Sequence, residues 1–474
     1  MFNNIIYFII ILLVFTTGQD EKDQVEPFLY SISMMFILWF VFVLYCRKGF
    51  KRIVRLYEKG IGVGYTSMYN RLVLRLSLVS IFIFSLDVLV FDLKYWVERI
   101  PVTGSVYIFQ GLFAIILFLF YLSTVWYFAN PAYNIVFNTD IKRKAFVLWN
   151  IRFNLPVIFP WLLLSIGVDF VSLSPWPELN SFLEQPVGEI LFLGIFLAIT
   201  IIFLPVFVRF FWGCKPIESS IKTESIKNFL KGLGFKYREL VNWPLPGGRM
   251  MTAGIMGVIP RFRYIMVTES LMDVLSPSEL NAVMAHEAGH AKYHHQLLLS
   301  LLFLGYFILS LGFFDPEFYF TIIGYLASRI PWNFISDNLY IIFFTVPMLV
   351  SLVIYFRFVM GFFMRNFERQ ADTYAAQAVG NPYAIISSLE KIALLSGKTR
   401  DVPSWHHFSI RQRVEFLEGS FSDPRIIIKH RRLLINSILI YLFIILSFSY
   451  ILYQTPVKEL IITHIPFLDE MESL

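Results

Sequence analysis

Two histidines and a glutamate lie within one short segment of the chain, His286-Glu287-Ala288-Gly289-His290. On an α-helix, residues four positions apart lie on one face, so both imidazoles can bind the same metal ion. Glu287 then lies beside the coordination position that the protein leaves open, where its carboxylate can accept a proton from a metal-bound water. This spacing is typical of zinc-dependent hydrolysis of peptide bonds.

A catalytic zinc site usually has three protein ligands, so the segment needs a third ligand from elsewhere. His294 lies on the same helix, but two turns rise by about 12 Å and would leave it too far from the ion. Carboxylates later in the chain are better candidates, because Glu368 and Asp372 are four residues apart and share a helix face. Glu368 could ligate the metal, while Asp372 could orient a ligating imidazole by accepting its second N–H.

Six of the eight histidines lie in two short segments, 286–295 and 406–407, which packing alone hardly explains. His407 and Arg413 could stabilise the oxyanion that develops on a substrate, or bind a substrate carbonyl. Alternatively, they anchor this region to lipid headgroups or to Glu415. Three further histidines are expected at helix ends or behind the ligands: His294, His295 and His406.

The helix that must carry the first segment has a clear start signal. Ser276 can cap the helix, Pro277 suits its first position, and Glu279 completes a capping box. Apolar residues after this start bury one side, and the helix is predicted to run to about His294. Before it, a helical pattern at 217–233 and extended pieces are predicted. The extended pieces lie at 235–242, 249–257 and 262–268.

The composition indicates a membrane protein. Of the 474 residues, 57% are hydrophobic and 16% are charged, whereas a soluble domain is about 45–50% apolar and about 25% charged. The apolar residues are concentrated in runs close to the length that crosses a bilayer core as a helix. These runs lie near 4–18, 28–46, 73–92, 105–128, 153–172, 188–212, 297–314, 339–363 and 433–453. A mainly α-helical, multi-pass membrane protein is therefore predicted.

The charges that flank these runs predict an orientation. The loop from Arg47 to Arg75 and the segment 142–144 are basic, and basic loops stay in the cytoplasm. Alternating the spans from there places 213–296 and 364–432 on the cytoplasmic face, in a bacterial inner membrane or the endoplasmic reticulum. The net charge of +6 fits basic loops that face anionic lipid. No interleaved basic and aromatic pattern indicates a nucleic acid partner.

The composition also divides the chain into five parts. A membrane region of about six spans comes first, then a polar segment, a hairpin of two spans, a second polar segment and a last span with a tail. These parts are 1–212, 213–296, 297–363, 364–432 and 433–474. The first run is interpreted as a retained span, and the apolar piece 318–331 as re-entrant or interfacial. Cys46 and Cys214 are not expected to form a disulfide, and Asp87 and Asp169 are expected to reach water at span ends.

The chain resembles the integral-membrane gluzincin metallopeptidases, the group of CaaX prenyl protease 1 and the bacterial heat-shock protease HtpX. These proteins share a capped helix that here reads Leu275-Ser276-Pro277-Ser278-Glu279-Leu280 and continues through His290. They also share E-x-x-A-D after a membrane hairpin, here Glu368 to Asp372, and a late His with an Arg six residues on, here His407 and Arg413. The resemblance covers roughly 215–417.

The resemblance implies a metallopeptidase core with a small β-sheet and one Zn²⁺ ion held by His286, His290 and Glu368. It also implies an edge strand that binds the substrate backbone through Thr252, Ala253 and Gly254. Relatives often have Asn at the first of these positions, so the Thr puts an Asn-based positioning of the substrate in question.

The sequence thus favours a membrane-embedded zinc metalloendopeptidase in which Glu287 is the general base and His407 and Arg413 assist the oxyanion. Its substrates would be CaaX-type C-terminal peptides, or misfolded or regulatory membrane proteins. One alternative is an intramembrane-cleaving protease of the site-2 type, but polar residues such as Asn281 and Lys292 make the motif helix too polar for lipid. Another is a scaffold or transporter with a retained metal site, for which Glu287 would have no use.

Overall fold

The structure is a computed structural model with two compact units, Met1–Lys215 with Trp243–Met250, and Pro216–Asn242 with Met251–Leu474. It describes residues 2–17, 26–60, 64–100, 106–183, 186–245, 251–313, 337–396 and 400–454. The predicted apolar piece 318–331 lies outside these residues. The predicted fold class is confirmed: within the described residues, the chain is mainly α-helical, with several helices that suit a membrane and one small sheet.

The described part of the first unit is mainly helical. Its helices are α1 (Phe2–Thr17), α2 (Phe28–Glu58), α3 (Tyr65–Leu89), α4 (Leu93–Glu98), α5 (Tyr107–Phe137), α6 (Arg143–Ser172), α7 (Pro177–Leu183) and α8 (Pro186–Phe211). Five of them, α2, α3, α5, α6 and α8, contain stretches long and apolar enough to cross a membrane. The run predicted near 4–18 forms α1, which is apolar but only 16 residues long.

Two carboxylates inside this helical unit are held by hydrogen bonds. Asp87 is 0% exposed, and its Oδ2 accepts a hydrogen bond of 2.5 Å from the Tyr121 hydroxyl. Asp169 is 6% exposed, and its Oδ2 accepts from the Ile108 N–H, 2.9 Å away, in the first turn of α5. The expectation that these side chains reach water is therefore wrong, because each is buried against a neighbouring helix that supplies a donor.

The second unit begins its described part with one helix and a small sheet. The helix α9 spans Ile221–Gly232, and the strands are β1 (Lys215–Pro216), β2 (Glu239–Asn242), β3 (Ala253–Met256) and β4 (Tyr264–Val267). The strand order is β1-β2-β4-β3, with β4 parallel to β2 and antiparallel to β3, so β3 lies at the edge. The helix predicted from 217 starts later because Ser220 caps it by accepting from the Thr223 N–H.

The remaining helices follow this sheet in the chain and add membrane-spanning length. They are α10 (Glu269–Val274), α11 (Pro277–Lys292), α12 (His295–Phe313), α13 (Asp337–Ile354), α14 (Gly361–Val379), α15 (Tyr383–Ser396), α16 (Ile410–Ser422) and α17 (Arg425–Gln454). The stretches Val346–Val379 and Arg425–Tyr450 are long and apolar enough to cross a membrane. Seven such helices thus lie in the described residues, against nine predicted runs, and α11 with α12 forms an eighth only as a bent pair.

The capping box predicted for α11 is present. The Ser276 side chain accepts from the Glu279 N–H, and the Glu279 carboxylate accepts from the Ser276 N–H. The helix ends at Lys292, close to the predicted end. His294 then has a φ of 55°, a left-handed conformation that interrupts a helix. The axis of α12 turns away from that of α11 by 47° at this break.

One helical rod carries both a membrane span and the Glu368 segment. A π-helical turn, Tyr355–Met360, joins α13 to α14 without a break in the helix. The predicted span at 339–363 therefore continues directly into the second polar segment. The hydroxyl of Tyr355 donates to the Leu302 C=O on α12, 2.7 Å away, and lies 2.7 Å from the Tyr441 hydroxyl on α17. These contacts tie three apolar helices together.

Candidate active site

Helices α11 and α14 pack closely because small residues line their interface. A Cβ atom on Gly289 would lie 3.0 Å from Tyr374 Cδ1 and 3.2 Å from Ala371 Cα. Ala371 and Ala375 on α14 are fully buried, as are Ala285 and Ala288 on α11 or nearly so. The backbones therefore approach closely, which brings the polar faces of the two helices into contact.

His286, His290 and Glu368 meet at this contact. The two Nε2 atoms are 3.1 Å apart, and the Glu368 oxygens lie 3.6 Å from His286 Nε2 and 3.5 Å from His290 Nε2. One ligand atom from each of the three residues lies within 4.8 Å of the others. Two ligands at about 2.1 Å from one zinc ion in a tetrahedron are about 3.4 Å apart. The donor set and its spacing thus fit a single Zn²⁺ ion.

Asp372 and Arg413 support His286 from behind. The Asp372 Oδ1 lies 2.9 Å from His286 Nδ1, which leaves Nε2 directed at Glu368. Arg413 donates from Nε and Nη2 to the two Asp372 oxygens, at 2.8 and 2.6 Å. Burial lowers the pKa of Arg413, but the Asp372 and Glu368 carboxylates outweigh it and hold that pKa above its usual value. The guanidinium is therefore a permanent positive charge beside Asp372 and Glu368.

His295 contacts the ring nitrogen of His290 that points away from Glu368, as Asp372 does for His286. Its Nδ1 lies 2.9 Å from His290 Nδ1, and its Nε2 lies 3.0 Å from Gln370 Oε1. The ring stacks on Phe367, with centroids 4.3 Å apart. If His290 Nε2 binds a metal, its Nδ1–H donates to His295, and His295 Nε2–H then donates to Gln370. The sequence placed His295 at a helix end or behind the ligands, but nothing in it indicated Gln370.

His407 lies on the open side of Glu368. Its Nδ1 is 3.1 Å from Glu368 Oε2, and 42% of its side chain is exposed. Arg413 Nη2 also reaches Glu368 Oε2, at 3.5 Å. The Ser404 Oγ accepts from the His407 N–H at 2.9 Å and fixes the turn that presents this imidazole. The structure thus brings both predicted oxyanion residues to the ligands, with His407 exposed and Arg413 buried.

Glu287 faces the edge strand of the sheet. Its Oε2 accepts a hydrogen bond of 3.1 Å from the Ile255 N–H, and the side chain is half-buried beside His286. Thr252 precedes this strand, and its N–H donates to the Thr268 hydroxyl at 3.1 Å. Ala253 and Gly254 lie in β3 itself. The predicted base and the predicted substrate strand are therefore neighbours.

The chain is similar in sequence to a known family of peptidases. Residues 249–465 match the sequence profile of Peptidase family M48. The chain is 31% identical over 140 residues to the Protease HtpX homolog of Caldanaerobacter subterraneus subsp. tengcongensis, an alignment that covers 29% of this chain and 45% of that protein. It is 28% identical over 192 residues to the Protease HtpX homolog of Bacteroides fragilis, with 38% of this chain and 56% of that protein covered.

The chain thus spans about half the length of these curated relatives. Among solved structures, the crystal structure of S. mikatae Ste24p superposes with a TM-score of 0.46 at 18% identity. That superposition covers 84% of this chain and 100% of the other.

Proposed function

We propose that this chain is a zinc-dependent metalloendopeptidase embedded in a membrane, because residues 249–465 match the sequence profile of Peptidase family M48. The observation that carries the proposal is the convergence of His286, His290 and Glu368 beside Glu287. A protein that only bound a metal would have no need of a carboxylate base next to the open side of the ligands.

The metal would be held by His286 Nε2, His290 Nε2 and the Glu368 carboxylate. Bound there, Zn²⁺ would polarise the scissile carbonyl and make water more acidic. Asp372 and His295 keep the ligating nitrogens turned toward one point, since each bonds the opposite nitrogen of its imidazole. Such partners behind the ligands raise both metal affinity and the precision of the site.

Glu287 would act as general base and then as general acid. Its carboxylate would take a proton from the attacking water and give it to the leaving amine. The Ile255 N–H fixes one carboxylate oxygen at 3.1 Å, so the other oxygen is the one directed at the reacting groups. The pairing of this base with the edge strand would hold it at a constant distance from a peptide bound along that strand.

His407 and Arg413 would have different parts. His407 is exposed, so its imidazole would contact the substrate carbonyl oxygen and assist the oxyanion. Arg413 would act mainly as a positioning residue, because its guanidinium is engaged by Asp372 and lies behind Glu368. Its positive charge would still lower the energy of negative charge that develops in front of Glu368.

The substrate would be an extended peptide that adds to the edge of the sheet along Thr252, Ala253 and Gly254. Its source would be either a CaaX-type C-terminal peptide or a misfolded or regulatory membrane protein. The basic loops between Arg47 and Arg75 support a cytoplasmic active site in a multi-pass membrane protein.

The test is zinc content and peptide hydrolysis of the full chain in detergent. Wild type is expected to bind one zinc per chain and to hydrolyse a quenched fluorescent peptide. Glu287→Gln should keep its zinc and lose hydrolysis, whereas Glu418→Gln, at an exposed position on α16, should resemble wild type. Equal hydrolysis by wild type and Glu287→Gln, or wild type without zinc, would contradict the proposal.

A further inference from the structure

The edge strand β3 uses alternate residues to bind the rest of the sheet. The Thr268 N–H donates to the Thr252 C=O at 3.1 Å, at the start of the register that pairs β3 with β4. In an antiparallel ladder, hydrogen-bonded pairs alternate with pairs whose backbone groups point away. The residues that turn their N–H and C=O groups toward β4 are Thr252, Gly254 and Met256. Those that turn them toward the outer edge are Ala253 and Ile255. Just past the strand, the Gly257 N–H points the same way, whereas its C=O accepts from Arg263 Nε at 3.0 Å.

A glutamine side chain occupies part of this outer edge. Gln296 Nε2 donates to the Ile255 C=O at 2.6 Å, and its Oε1 accepts from the Gly257 N–H at 3.0 Å. The two ends of one amide thus bond backbone groups that a neighbouring strand would otherwise pair with. Gln296 lies in the first turn of α12, directed at the strand by the break at His294.

Together with Glu287, this amide divides the edge into two parts. The Ile255 N–H, the Ile255 C=O and the Gly257 N–H are bonded by side chains of α11 and α12. At Ala253, the C=O lies 3.3 Å from the hydroxyl of the adjacent Thr252, which donates to it. An incoming peptide can therefore pair on the Ala253 side of Glu287 but meets Gln296 on the Gly257 side.

We infer that Gln296 sets the register of the substrate by closing the edge strand on one side of the base. This inference rests on the proposed peptidase function. A peptide that adds antiparallel to β3, the commoner arrangement of paired strands, directs its N-terminal part toward Gly257. Gln296 therefore denies β-pairing to residues N-terminal to the scissile bond. The preferred substrates are peptides recognised mainly through residues C-terminal to that bond.

Two series of quenched peptides test the register, one extended on the N-terminal side and one on the C-terminal side of the scissile bond. With wild type, N-terminal extension by two residues should change KM less than about twofold, whereas C-terminal extension should lower it. With Gln296→Ala, N-terminal extension should lower KM roughly tenfold, as two new backbone hydrogen bonds would. Gln377→Ala, at an exposed position on α14, is the matched control and should resemble wild type.

Hydrogen exchange of the full chain in detergent gives a reading that needs no catalysis. The Gly257 amide should exchange slowly in wild type and faster in Gln296→Ala. Gln296→Glu keeps an acceptor for the Gly257 N–H but offers the Ile255 C=O no donor. It should therefore keep Gly257 protected, and it also serves if the alanine variant fails to fold.

Suppose that wild type is active and that Gln296→Ala changes neither the KM values of the two peptide series nor the exchange rate of the Gly257 amide. This result would overturn the inference and leave the proposed function intact. The inference would also be overturned if Gln296→Ala lowered KM only for the peptides extended on the C-terminal side. Failure of the proposed function shows separately, as hydrolysis that survives Glu287→Gln.

Discussion

Arg413 and Asp372 form a two-pronged ion pair directly behind His286. Asp372 is 1% exposed and Arg413 is 9% exposed. Asp372 therefore bonds the imidazole and the guanidinium from the same buried position. The orientation of His286 thus depends on Arg413 of α16, which lies 123 positions after His290 in the chain.

Replacement of Asp372 by Asn should weaken the metal site without removing a ligand. The amide cannot compensate Arg413, and it orients His286 less firmly. We expect zinc affinity to fall by about 10–100-fold, and removal of one partner from a buried ion pair to cost about 3–5 kcal/mol of stability. Competition with a chromophoric chelator measures the first effect, and thermal unfolding in detergent the second. Unchanged zinc affinity would show that the Asp372 contact does not orient the ligand.

Arg413→Lys tests whether the arginine acts by positioning Asp372 or by binding the substrate directly. Lysine keeps the charge but lacks the planar fork that holds both Asp372 oxygens. If Arg413 acts through Asp372, kcat and zinc affinity should fall while KM stays near the wild-type value. A rise in KM with unchanged zinc affinity would instead indicate direct contact with the substrate. Arg411→Lys, at an exposed neighbour on the same helix, is the control.

His295→Phe should weaken zinc binding through His290. Phenylalanine keeps the stack on Phe367 but has no nitrogen to accept from the imidazole. Zinc affinity should drop by about tenfold or more. Gln370→Leu removes only the outer partner of this chain and should have a smaller effect. If both variants bind zinc as tightly as wild type, the contact of His295 with His290 does not orient the His290 imidazole for metal binding.

Gly289→Ala should separate the two ligand-bearing helices. The added methyl would lie 3.2 Å from backbone of α14, so α11 must shift. Activity and zinc affinity should both fall, even though Ala in a helix is favoured over Gly by about 1 kcal/mol. Gly419→Ala carries the same propensity gain on α16, and its Cβ would meet only the end of the flexible Ile426 side chain. Equal activity of the two variants would contradict this account.

The candidate ligands and the helices that carry them could be predicted from spacing and local signals. Ser276 and Glu279 mark the start of α11, and the four-residue spacings put His286 with His290 and Glu368 with Asp372 on single faces. These are properties of neighbouring residues on one helix, which is why the sequence reveals them. The membrane spans are visible for the same reason, because their length and composition are local.

The remaining features depend on backbone geometry that no local pattern reveals. His295 reaches His290 only because the left-handed His294 interrupts the helix, and histidine is no strong signal for that conformation. Gln296 finds the edge strand through the same break. Asp87 looked like a residue near the end of a span, yet Tyr121 on another helix supplies its partner. Each depends on which elements meet, which is a property of the whole fold.

The continuous helix from Asp337 to Val379 would couple the proposed active site to the bilayer. Its stretch Val346–Val379 has 34 residues and so is about 50 Å long, well beyond a hydrocarbon core of about 30 Å. Glu368 lies on the same continuous helix as the apolar stretch that would lie in lipid. A change in membrane thickness that tilts this helix would move the Glu368 carboxylate relative to the imidazoles of His286 and His290. Lipid composition would then change the distances between the three candidate metal ligands.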